Sequence, residues 1–180
     1  MKSSTRIPSI LIATLLLATP LLADAPASDK STARYEVTFL QSMIDHHAMA
    51  VETAELCMAR AIHEELRSMC EQIAATQSQE IEMMQSWLQD WYGITYEPQM
   101  TKQEMREMEQ LASLYGADFE IAFMEMMIRH HMGAIREASK CVDRVEHEEL
   151  RTLCENIITT QAAEIEQMRT WLCEWYQQCK

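Results

Sequence analysis

Two short stretches carry residue types able to do chemistry. Met43-Ile44-Asp45-His46-His47 and Met127-Ile128-Arg129-His130-His131 each place a methionine three and four residues ahead of a histidine pair. On a helix these spacings put Met43 on the side of His46 and His47, and Met127 on the side of His130 and His131. Thioether sulfur is a soft, neutral donor and imidazole a borderline one. Together they select Cu(I), with Ag(I) as its surrogate, and accept Cu(II) where imidazole dominates. Met84 and Met168 are candidate second sulfurs, and Met49 and Met132 are auxiliary rim donors. Glu80 and Glu164 stand either as auxiliary ligands or as buried partners that orient an imidazole. A plainer reading stays open: methionine is a flexible core filler, so the stripe could be packing alone. The histidine pairs resist that reading, because adjacent buried imidazoles need polar partners.

The chain is internally repeated. A shift of 84 positions (His46 to His130) lays Phe39–Tyr92 onto Phe123–Tyr176 without a gap, with about half the positions identical. All six histidines fall in the match, as do Cys57 with Cys141 and Cys70 with Cys154. Within each copy apolar residues recur at three and four positions, the signature of two amphipathic helices. The short segment Arg60–Glu65 between them forces an antiparallel hairpin. His63 and His147, beside Glu-Glu at these turns, are expected to be solvent-exposed.

Facing positions in an antiparallel helix pair have a constant sum, because both helices rise equally per residue. Setting Cys57 against Cys70 places Ala50 opposite Gln77, His47 opposite Glu80, Met43 opposite Met84 and Phe39 opposite Leu88. The second copy repeats every pair: Cys141 with Cys154, Ala134 with Gln161, His131 with Glu164, Met127 with Met168, Phe123 with Leu172. The cysteines are read as hairpin disulfides, with Cys173 and Cys179 left to pair where the last helix frays. As thiolates they would instead be strong Cu(I) ligands. Trp87 with Trp91 and Trp171 with Trp175 are expected to pack at the bundle ends.

Residues 93–122 form the crossover between copies. Thr101 with Glu104 reads as a capping box, Met105, Met108, Leu111 and Tyr115 as an apolar stripe, and Gly116 as a stop. Two hairpins joined by a long crossover with its own short helix predict an all-α, ferritin-like four-helix bundle.

The 180 residues carry a formal charge of −13, with 3 Gly and 4 Pro among them. So few turn formers argue against an all-β fold, and the acidity excludes a nucleic-acid partner while suiting cations. Lys2 and Arg6 precede an apolar run to Leu22 and then small residues, which reads as a secretory signal peptide over 1–23. Its removal takes both basic residues and leaves −15. Residues 24–35 are expected to be a flexible lead-in to a single helical domain, 36–180. The expectation is a periplasmic or secreted protein, without a membrane anchor after cleavage, free to keep disulfides.

The series Phe39-x-x-x-Met43-Ile44-x-His46-His47, then Gln77-x-x-Glu80-Ile81-x-x-Met84-x-x-Trp87-Leu88, repeated from Phe123 to Leu172, resembles the domain-of-unknown-function three-hundred-and-five family. That family includes CopM-like periplasmic copper-binding proteins. The resemblance implies a ferritin-like bundle in exported proteins, some of which bind copper through Met and His. A methionine common in the family one turn after the histidine pair is here Thr53 and Glu137, and the cysteines are not general family features. Three function classes follow. The first is a metal-binding protein, not an enzyme, that sequesters or carries copper and contributes to metal tolerance or homeostasis. It would act as a monomer or weak homodimer and hand metal ions to a transporter or efflux component. The second is a ferritin-like copper or iron oxidase, although the chain has no Glu-x-x-His. The third is an interaction module with a polar histidine core.

Overall fold

The computed structural model describes residues 25–179; the expected signal peptide lies outside them. Among the described residues there are five helices and no strand: α1 (Lys30–Arg60), α2 (Glu64–Tyr92), α3 (Lys102–Ala112), α4 (Gly116–Val142) and α5 (Glu148–Tyr176). None is long and apolar enough to cross a membrane.

The helix ends follow from local chemistry. Asp29 caps α1, its carboxylate accepting from the Ser31 and Thr32 amides. α1 therefore begins at Lys30, inside the 24–35 span expected to be a flexible lead-in, because an N-cap and an amphipathic face are already present there. Thr101 and Glu104 form the expected capping box of α3. α2 stops at Gly93, in the left-handed region at φ 66°, whose amide reaches back to Gln89 and Leu88 carbonyls. α5 stops in the same way at the repeat-equivalent residue, but there the left-handed position holds Gln177, at φ 55°. Gly116 does not stop α3, which ends at Ala112 with Ser113 as its cap. It opens α4 instead, so that helix starts within the span assigned to the crossover.

α1 pairs with α2, and α4 with α5, as two hairpins. Disulfides join Cys57 to Cys70 and Cys141 to Cys154, each with Cα atoms 6.2 Å apart, in the register anticipated from constant sums. The hairpins meet through α1 and α4, and they meet head to tail. Phe39, Met43, Met84 and Leu88 of the first hairpin share one apolar cluster with Ala134, Ala138 and the Cys141–Cys154 bridge of the second. Ala50, Ala54 and the Cys57–Cys70 bridge share the other with Phe119, Phe123, Met127 and Met168. Burying such large side chains contributes roughly 1.5–3 kcal/mol each. The small residues keep α1 and α4 close. The crossover is strapped to α1: the Tyr96 hydroxyl and the Gln99 amide both donate to Asp45, at 2.8 and 2.7 Å. Arg60 holds the C-terminal end of α3 by donating to the Ala112 and Leu114 carbonyls.

Candidate metal centre

α1 contributes His46 and His47, and α4 contributes His130 and His131. These helices form the inter-hairpin seam, so all four imidazoles fall into one central layer. The His46 and His130 rings lie face to face, 3.6 Å between centroids. Gly133 makes room for this arrangement: a Cβ there would stand 3.3 Å from His46 Nε2.

His47 and His131 are fully buried. His47 Nε2 lies 2.7 Å from Glu80 Oε2, and His131 Nε2 lies 2.6 Å from Glu164 Oε2. In a neutral imidazole that donates to a carboxylate from Nε2, the lone pair is on Nδ1. Both Nδ1 atoms are buried without a hydrogen-bond partner, as are His46 Nδ1 and both nitrogens of His130. Burial, reinforced by the neighbouring imidazoles His47 and His131, lowers His46 to about 3. Burial likewise pushes His130 well below the ordinary histidine value. These two rings are neutral at physiological pH, the form in which imidazole binds a metal.

The structure places Met43 and Met84 together in one apolar cluster and Met127 and Met168 together in the other. The two predicted sulfur pairs are thus kept within their own hairpins, one in each cluster. Met132 is 51% exposed, as expected of a rim residue. Met49 is not a rim residue: it is 3% exposed, with the Thr53 hydroxyl 3.7 Å from its sulfur. All six cysteines are bridged, Cys173 to Cys179 included, which removes them as thiolate ligands. Among the described residues no three His, Cys, Asp or Glu side chains form a metal-holding group by themselves.

His63 and His147 depart from the expectation of solvent exposure. His147 Nδ1 lies 2.6 Å from Glu36 Oε2, and His63 Nδ1 lies 2.6 Å from Glu120 Oε2. Each carboxylate also accepts two backbone amides at the start of the other hairpin's second helix, and a tyrosine hydroxyl, Tyr92 or Tyr176. Each histidine ring stacks on a tryptophan, His147 on Trp91 at 3.7 Å and His63 on Trp175 at 3.9 Å. Those tryptophans in turn stack on Trp87 and Trp171. Residues 25–28 cover only one of these clusters: the Ala25 carbonyl meets His147 Nε2 at 2.9 Å, and Ser28 bonds Glu146. Glu36 and Glu120 were absent from the sequence reading, although they too are 84 positions apart.

Residues 36–172 match the family model described as Domain of unknown function (DUF305). No curated protein matches the chain. Among solved structures, CopM in the Cu(I)-bound form is 31% identical, with 78% of this chain and 97% of that one covered and a TM-score of 0.70. CopM in the Cu(II)-bound form is also 31% identical over the same shares, with a TM-score of 0.72. A DUF305 fragment from Deinococcus radiodurans is 29% identical, covering 77% of this chain and 95% of its own, with a TM-score of 0.68.

Proposed function

Since the chain belongs to the DUF305 family, we propose that it is an exported protein that binds copper in its central histidine layer and carries or sequesters it without turnover. The observation that carries this reading is the set of buried imidazole nitrogens left without partners in a layer flanked by methionine. An unpaired buried acceptor is costly unless something occupies it. With no cage of His, Cys, Asp or Glu alone among the described residues, a bound ion draws on both imidazole and thioether, and that mixture favours Cu(I) and Ag(I) over harder ions. His46, His47, His130 and His131 are the proposed nitrogen ligands. Met43, Met84, Met127 and Met168 are the proposed sulfurs, drawn in from the adjoining clusters. Glu80 and Glu164 orient their imidazoles. The likeness to CopM structures holding Cu(I), Ag and Cu(II) supports this metal range, and the four long helices are read as a ferritin-like bundle.

Titrating the mature protein with Cu(I) against a competing chelator tests the proposal. Submicromolar binding is expected, and replacing all four central histidines by Gln removes most of it. Binding unaffected by those replacements, or none at all, overturns the reading. The carboxylates beside the layer favour a second reading, metal oxidation, which predicts oxygen consumption when Cu(I) or Fe(II) is supplied.

A further inference from the structure

A small cavity of about 10 Å³ lies between α2 and α5 and is lined from those two helices alone. Its polar lining is Thr76, Gln77 and Glu80 on one side and Thr160, Gln161 and Glu164 on the other. These are three pairs of identical residues, each pair 84 positions apart, so the cavity sits where the two halves of the repeat face each other. Its volume suits one occupant the size of a water molecule or a bare ion.

Gln77 and Gln161 are 3% and 2% exposed, and the Oε1 atom of each has no hydrogen-bond partner. These two buried amide oxygens, on side chains that line the same space, need a donor or a positive charge. Glu80 and Glu164 each commit Oε2 to a histidine and carry a second oxygen besides. Thr76 and Thr160 are exposed and add hydroxyls at the rim. No Lys or Arg lines the cavity. A water has only two protons to donate, whereas a cation satisfies every oxygen at once and offsets the carboxylate charge. An all-oxygen donor set is the wrong chemistry for the soft ions proposed at the histidine layer, and it matches hard cations.

We infer that this cavity is a second metal site, taking one hard divalent cation of the calcium class on the amide oxygens of Gln77 and Gln161 and the carboxylates of Glu80 and Glu164. The ion ties α2 to α5 across the two hairpins. The inference does not rest on the copper reading.

The test is a calorimetric titration of the mature, disulfide-intact protein, first stripped of metal, with Ca²⁺, and with Mn²⁺ as a paramagnetic probe of the same site. One equivalent should saturate with a Kd on the order of 10⁻⁴–10⁻³ M, the range of extracellular calcium modules. Gln77→Leu with Gln161→Leu, which removes the amide oxygens without adding a sulfur donor, should weaken it by at least about tenfold while leaving the Cu(I) titration unchanged. If the double variant does not fold, Gln161→Leu alone is read in the same way. Absence of saturable binding of either ion by the unaltered protein overturns the inference. So does undiminished binding in the glutamine variants, or a lone water in the cavity of crystals grown with Ca²⁺. Copper binding is read separately, so the two proposals fail independently.

Discussion

Glu36 and Glu120 illustrate how much one side chain can organise. Burial alone would raise both carboxyls, but the tyrosine hydroxyl, the histidine and two amides outweigh it and hold each below the usual carboxylate range. Burial, and then the carboxylate it faces, push the Tyr92 and Tyr176 hydroxyls above their ordinary value. The signs set a stability window. A carboxylate held low stabilises above the ordinary carboxylate range and loses that contribution as pH falls. A tyrosine held high stabilises below 10 and loses that contribution as pH rises beyond it. His46 and His130 add a third boundary. The unfolded chain binds protons on these residues from 6.5 downward, whereas native His46 resists until about 3, so the stability of the metal-free protein declines as pH drops through that interval. Equilibrium denaturation of the metal-free protein across pH should therefore give a plateau between about 6.5 and 10. Replacing His46 and His130 by Gln should move the acid decline down toward the carboxylate range; an unmoved decline would contradict this account.

The helices and their bridges show which constraints act locally. Cys57 and Cys70 are 13 positions apart, and closing a loop of that size restricts the unfolded chain by about 3 kcal/mol. Replacing both by Ser should lower the unfolding free energy by about that amount, measured in urea, while helix content at low denaturant is retained. Cys173–Cys179 closes a shorter loop, 6 positions, and its removal should cost less, about 2 kcal/mol. The two copies also end their last helices unequally. Gln177 holds a left-handed conformation that Gly93 takes without a Cβ penalty. Gln177→Gly should stabilise the protein by about 1 kcal/mol, visible as a higher thermal midpoint; a drop would mean that the side chain packs usefully. Within a hairpin the sequence was highly legible. The constant-sum register located His47 against Glu80 and both hairpin bridges, because two copies constrain the same alignment. Contacts between hairpins were not legible that way. His147 sits beside Glu148 and Glu149 and looks like an exposed helix start, but its acceptor is 111 positions away in the other half. The signal for Glu36 lay just upstream of Phe39, where Tyr35-Glu36-Val37 faces Phe119-Glu120-Ile121 across the repeat with only the glutamate identical.

At the scale of the whole molecule, the carboxylate–histidine locks and the apolar clusters that join the halves each occur twice among the described residues. Glu36 locks His147 as Glu120 locks His63, the cores are exchanged crosswise, and His46 meets its own counterpart His130. Such a set is self-complementary: each surface needed by one hairpin is also presented by the other. A chain cut down to residues 29–93 should therefore find its missing half in a second copy of itself, with Glu36 of each polypeptide closing on His63 of the other. Sedimentation equilibrium should report a homodimer. A strictly monomeric fragment would mean that α3 and the crossover, rather than the matched surfaces, keep the halves together. If the dimer forms, the gene duplication joined two subunits that already fitted each other and freed each copy to vary alone, as Gly133 and Met49 now do.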